Sequence, residues 1–94
     1  MTVKEMLQEY YELEILMELQ ELQEGLKKEF IKLKLLMGSE ILFPVLRGRF
    51  LEKKTQEKIA EEMGVDARTV SRRQGVELKK LENLMNGRWR TGID

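Results

Sequence analysis

The stretch that decides the fold is Gln56–Val76, QEKIAEEMGVDARTVSRRQGV. Ile59, Ala60 and Met63 fall at offsets of one and four, which places them on one side of a helix. Gly64 follows, and glycine enters the left-handed region that ends a helix without steric penalty. Val65 is apolar and can drop between two helices. Asp66 can then cap the next helix, accepting from backbone N–H groups that otherwise lack partners. Val70, Leu78 and Leu81 give that second helix a buried stripe.

A small residue, a glycine four later and an aliphatic six beyond that is the spacing of a helix-turn-helix, whose axes approach closely near the turn. Ala60, Gly64 and Val70 satisfy it, and Ile59, Met63 and Val65 fit as well. Arg73 departs, standing where an aliphatic residue is usual. Either its methylene stem lies along the core with the charge outside, or the second helix is slightly rotated. The competing reading is an ordinary helical hairpin that touches no nucleic acid; a basic surface on the same motif argues against it.

Upstream, Thr2–Glu5 reads TVKE, a capping box that starts a helix. Val3, Met6, Tyr10, Leu13 and Met17 then alternate spacings of three and four. Leu19, Leu22, Leu26, Phe30, Leu33 and Met37 do the same with an offset, as at a coiled-coil stutter. The pattern predicts one long helix from Thr2 to about Met37, with a hairpin broken at Gly25 as the alternative. At 1.5 Å per residue it would be about 50 Å long, too long to bury its stripe on a domain of roughly 50 residues. A homodimer through this N-terminal helix is therefore expected; folding back onto its own C-terminal helices is the other solution. Ser39 is placed as N-cap of a helix from Glu40, with Pro44 within its first turn or so. Its apolar face is Ile41, Leu42, Val45, Leu46, Phe50 and Leu51; Arg47 and Arg49 lie opposite, within reach of phosphates or simply solvated. Thr55 caps the following helix, and Asn86–Gly87 ends the last.

Lys and Arg number 17, as do Asp and Glu, so the formal net charge is zero. The charge is segregated, however. Residues 1–37 hold eight acidic and five basic residues, a net −3, and residues 38–94 hold nine and twelve, a net +3. Attraction to phosphate depends on the local field, screened over about 8 Å at physiological salt. There is no histidine and no cysteine. That removes imidazole acid–base chemistry, thiolate attack, disulfides and the usual zinc sites. No Gly-rich phosphate loop, metal site or cofactor motif is found, and no apolar run is long enough for a membrane. The chain reads as a cytoplasmic binding protein rather than an enzyme.

The partner predicted is double-stranded DNA. On a helix entering the major groove, residues after the N-cap face outward; these are Arg68, Thr69, Ser71, Arg72 and, if it turns out, Arg73. Gln74 could read adenine or bond a phosphate. Thr55 and Gln56 sit at a helix N-terminus suited to phosphate, and Lys54 and Lys79 add sequence-independent attraction.

The stretch LRGRFLEKKTQEKIAEEMGVDARTVSRRQGVELKKLENLM, residues 46–85, resembles sigma-70 region 4 and its relatives. It carries the arginine–aromatic pair Arg49–Phe50, an EIA-like step, glycine–aliphatic, Thr69–Val70 and a terminal KKL. Lys58 and Arg73 depart from the pattern. With a helical extension and no other sigma regions, the chain is similar to small phage and prophage transcription regulators of the RinA and ArpU kind. That resemblance implies promoter binding and activation of late genes. The expectation is an all-α protein: a long, coiled-coil-like, self-associating N-terminal helix over 1–37, a three-helix helix-turn-helix domain over 38–86 and a flexible basic tail over 87–94. Two competitors are a terminase small subunit, which packages phage DNA, and a sigma-like adaptor that touches RNA polymerase.

Overall fold

A computed structural model of the chain describes residues 1–87. Beyond Gly87, the expected basic tail with Arg88, Trp89 and Arg90 lies outside the described residues. Among the described residues the fold is all-helical: α1 (Val3–Gln8), α2 (Tyr10–Glu18), α3 (Glu24–Met37), α4 (Pro44–Leu46), a π-helical segment (Arg47–Leu51), α5 (Gln56–Met63) and α6 (Ala67–Met85). No helix among them is long and apolar enough to cross a membrane.

The capping box forms as its sequence predicts. Glu5 N–H donates to Thr2 Oγ1 (3.1 Å) and Thr2 N–H to Glu5 Oε1 (2.8 Å). The single long helix does not form. Glu9 leaves helical backbone slightly (φ −107°, ψ 21°), separating α1 from α2. The decisive break follows α2, where Gln20 adopts φ 57°. There Glu21 N–H donates to the Leu16 carbonyl (2.9 Å) and Gln20 N–H to that of Met17 (3.1 Å), the hydrogen-bond pattern of a left-handed helix end. The phase offset between the two apolar stripes is thus a change of direction, not a stutter. Gly25 is the second residue of α3, inside the helix rather than at a hairpin turn.

This reversal removes the premise of the long coiled coil. Val3, Met6, Tyr10 and Leu13 are buried within the chain itself, in one cluster with Phe30, Leu33, Met37, Phe43, Leu46 and Leu81. Tyr10 sits tilted against Phe30 and Phe50, with ring centroids 5.2 and 5.5 Å away. Both α1 and α3 pack against α6.

The middle of the chain also differs from the pattern. Ser39 closes a turn, its Oγ accepting from Leu42 N–H (3.2 Å), and the helix starts four residues later than expected, with Pro44 at its first position. After Leu46 the backbone widens: Glu52 N–H reaches Arg47 and Lys54 N–H reaches Gly48. Gly48 permits this, because a Cβ there would lie 3.2 Å from the Ile59 side chain.

One buried acid fixes α6 on α4. Glu77, 5% exposed, accepts from Val45 N–H at 3.0 Å and Leu46 N–H at 2.9 Å through Oε1. These are first-turn amides with no partner inside their own helix, and the carboxylate lies at the positive end of α4. Burial raises the Glu77 pKa above the usual carboxylate range; the two backbone bonds, then Lys80 and Arg73, offset part of that rise.

Two outcomes follow for stability. Gln20→Gly should stabilise by about 1 kcal/mol, because glycine relieves the left-handed backbone; in a continuous helix it would cost about as much. Urea denaturation distinguishes the signs. Glu77→Ala should destabilise by about 2–4 kcal/mol, leaving two buried N–H groups unpaired. A carboxyl with a raised native pKa binds its proton more tightly when folded. Its titration therefore adds stability at low pH that is lost as pH rises through the native value. Stability profiles of wild type and Glu77→Gln should differ by this falling component, above the ordinary glutamate range.

Candidate nucleic-acid interface

Local capping builds the two motif helices. Thr55 Oγ1 accepts from Lys58 N–H (3.1 Å) and starts α5. Gly64, at φ 69° and ψ 31°, ends it, with Val65 N–H donating to the Ala60 carbonyl (3.0 Å). Asp66 Oδ1 accepts from Thr69 N–H (2.8 Å) and starts α6. Hydrogen bonding from Thr69, through its side chain and then its backbone, holds the Asp66 carboxyl below its usual range. It is therefore ionised where negative charge suits the helix end. Ile59 and Ala60 of α5 pack with Val70 of α6 and Val45 of α4, and Met63 and Val65 border this small core. Gln56 Nε2 donates to the Ala67 carbonyl (2.7 Å), tying the start of α5 to the start of α6.

The rotation of α6 is set by Val70, Glu77 and Leu81, which are buried. At 100° per residue, Arg68, Arg72 and Lys79 fall within one narrow sector on the opposite side. All three are exposed, as are Ser71 and Gly75 in and beside that sector. Among the described residues no carboxylate lies within ion-pair distance of Arg68, Arg72, Arg73 or Lys79. Arg73 is also exposed and borders a shallow hollow with Ile41, Leu42, Pro44 and Val76. The buried line steps from Val70 to Glu77 without using it. Thr69 is half-buried at the cap.

The remaining predicted contacts are engaged internally. Gln74 is half-buried, and its Oε1 accepts from Arg49 Nη1 (3.3 Å). Lys54 Nζ lies 2.8 Å from Glu62 Oε1 and 3.1 Å from Glu52 Oε1, and these bonds, Glu62 first, raise its pKa. Gln56 is spent on Ala67, and the Thr55 hydroxyl caps its own helix. Thr55, Gln56 and Lys54 do share a polar groove with Tyr11, Arg49 and Lys53. Arg47 pairs with Glu40 and Glu52. Nothing in the local sequence marks Tyr11 as part of this groove; its hydroxyl donates to the Arg49 carbonyl (3.2 Å), 38 residues away. Nor does anything in the local sequence mark Glu77 as buried.

The geometry leaves one helix face that is basic, exposed and, among the described residues, free of carboxylate partners, braced from behind by a second helix across a glycine turn. Comparison with curated proteins and with solved structures gives no match. Residues 44–83, which run from Pro44 through α5 into the last turn of α6, match the family model Sigma-70, region 4, a helix-turn-helix domain.

Proposed function

We propose that the protein is a sequence-specific regulator of transcription that lays α6 in the major groove of double-stranded DNA. The observation that carries this is the face of Arg68, Arg72 and Lys79, exposed and free of carboxylate partners among the described residues. Arg68 and Arg72 lie in the first turns of α6, the part of a recognition helix that reaches base edges. Arginine pairs bidentately with guanine O6 and N7. Ser71 and Arg73 flank the reading line and bond phosphate or base, and Thr69 serves as helix cap first. Lys79, two turns further on, supplies charge for the backbone. The polar groove at Thr55, with Arg49 and Lys53, is a second phosphate contact at the start of α5. Lys54, Gln56 and Gln74 act in this reading as positioning residues, since each is already bonded within the protein.

The function is binding rather than catalysis. A chain without histidine or cysteine has few groups that titrate near neutral pH. A place among small phage regulators of the RinA and ArpU kind rests on the sigma-like segment joined to a helical N-terminal extension. A cytoplasmic location goes with it.

Gel shifts on footprinted target DNA and on random DNA test the assignment. Arg72→Ala should lose roughly 5- to 150-fold on the target and much less on random DNA. Lys79→Ala should lose similarly on both and lower the salt slope by about 1. Equal losses on both DNAs for both variants would contradict the roles given. Binding that does not weaken with salt would favour an adaptor that contacts RNA polymerase without reading DNA.

A further inference from the structure

Two apolar stripes lie on the outside of the N-terminal segment, away from the core. On α2, Tyr11, Ile15 and Leu19 follow at steps of four, and Ile15 and Leu19 are 58% and 60% exposed. On α3, Ile31 and Leu35 are 39% and 75% exposed. The buried residues of the same helices, Tyr10 and Leu13 on α2 and Phe30, Leu33 and Met37 on α3, occupy other faces.

Apart from the Tyr11 end, where Lys53 Nζ lies 5.7 Å over the ring, the charges that the two helices themselves place beside these stripes are opposite in sign. Helix α2 contains Glu12, Glu14 and Glu18 and no basic residue. By helical rotation, Glu14 and Glu18 border its stripe on one side and Glu12 on the other. Around Ile31 and Leu35 stand Lys27 and Lys34 on one side and Lys28 and Lys32 on the other. Of the acids in α3, Glu24 is in the first turn and Glu29 lies well round the helix from Ile31.

The two stripes are neighbours. Lys34 Nζ lies 3.6 Å from Glu14 Oε2, and Met17, Ile31, Leu35 and Leu51 line one shallow apolar hollow. The outer surface of this segment therefore has an acid-bordered apolar half beside a base-bordered apolar half. Such a surface is complementary to itself after a half-turn, which is the requirement for a two-fold interface.

We propose that the occupant of this surface is a second copy of the chain, with α2 of each protomer lying on α3 of its partner. Exposed apolar area supplies the attraction, and the opposed glutamates and lysines set the register and direction. The inference does not depend on the DNA reading, since α6 takes no part in it.

Light scattering or sedimentation of the full chain at tens of micromolar should give about twice the monomer mass of 11.1 kDa. Changing Glu12 and Glu18 together to lysine makes both stripes basic. Changing Lys27, Lys28 and Lys32 together to glutamate makes both acidic. Each variant alone should self-associate at least about tenfold more weakly, because like charges then face each other. An equimolar mixture of the two should recover the dimer, because both contacts become attractive again. Leu35→Glu, at a highly exposed position, should also weaken the dimer while circular dichroism stays unchanged. A monomeric wild type, a ring of eight or more, charge variants that dimerise as before, or a mixture that does not recover would each overturn the proposal. None of these outcomes touches binding of DNA by α6.

Discussion

The carboxylate of Glu77 is the contact on which the placement of α6 depends. It is buried, and it satisfies two amides at the start of α4 from 31 and 32 residues away. An apolar residue of similar size would avoid the cost of burying a charge, but it would leave both amides without partners in a core that excludes water. Since α4 is only Pro44–Leu46 before the backbone widens, it has little helix of its own to hold those amides in place. Glu77 thus acts as the cap that the local sequence, Phe43–Pro44, does not provide. Because it is rigidly part of α6, the same bond that starts α4 also fixes the rotation of α6, and with it the direction in which Arg68 and Arg72 face.

The N-terminal helices extend this bracing. Leu81, toward the end of α6, belongs to the cluster built by Tyr10, Phe30, Leu33 and Met37. Burial pushes the Tyr10 phenol up to about 12, so it stays neutral in this aromatic core. Tyr11 next to it turns the other way and bonds the Arg49 carbonyl, while Arg49 reaches Gln74 on α6. Helices α1 to α3 therefore support the flank and far end of α6 and leave its first turns open. Gln74, one of the ten residues singled out for DNA contact, belongs to this internal network.

What could be read from the sequence is what is local in the chain. Thr2, Thr55 and Asp66 each cap a helix through an amide three residues on, and Gly64 takes the left-handed turn reserved for it. These devices need no knowledge of the rest of the fold, so the motif and the open face of α6 were legible. The break after α2 was not, because glutamine at Gln20 carries no mark of the left-handed backbone, while Gly25 offered a more conspicuous and mistaken place for it. Periodicity was equally misleading here. Two out-of-phase stripes suit a bent coiled coil or two packed helices, and only the tertiary contacts choose. The bonds of Glu77 to the α4 amides and of Gln74 to Arg49 were not legible for a related reason: a polar side chain on a helix shows its partner only when the element facing it is known.

A net charge of zero is compatible with strong attraction to phosphate once distances are considered. The described molecule extends over 40 × 39 × 18 Å, several times the screening length of about 8 Å at physiological salt. Charges on separate helices then act on separate neighbours. Along the flank of α6 at Gln74 and Leu78, the N-terminal residues that line the groove are Lys4, Leu7, Gln8 and Tyr11, none of them acidic. Asp66, the N-cap of α6, has its carboxylate engaged by Thr69 N–H at the helix end. Three of the glutamates that balance the formal sum, Glu12, Glu14 and Glu18, stand on α2, where they border an apolar stripe. Segregation leaves the exposed bases of α6 unopposed by the acids of α2, as the proposed attraction to phosphate requires, and dispersing the same residues would weaken it.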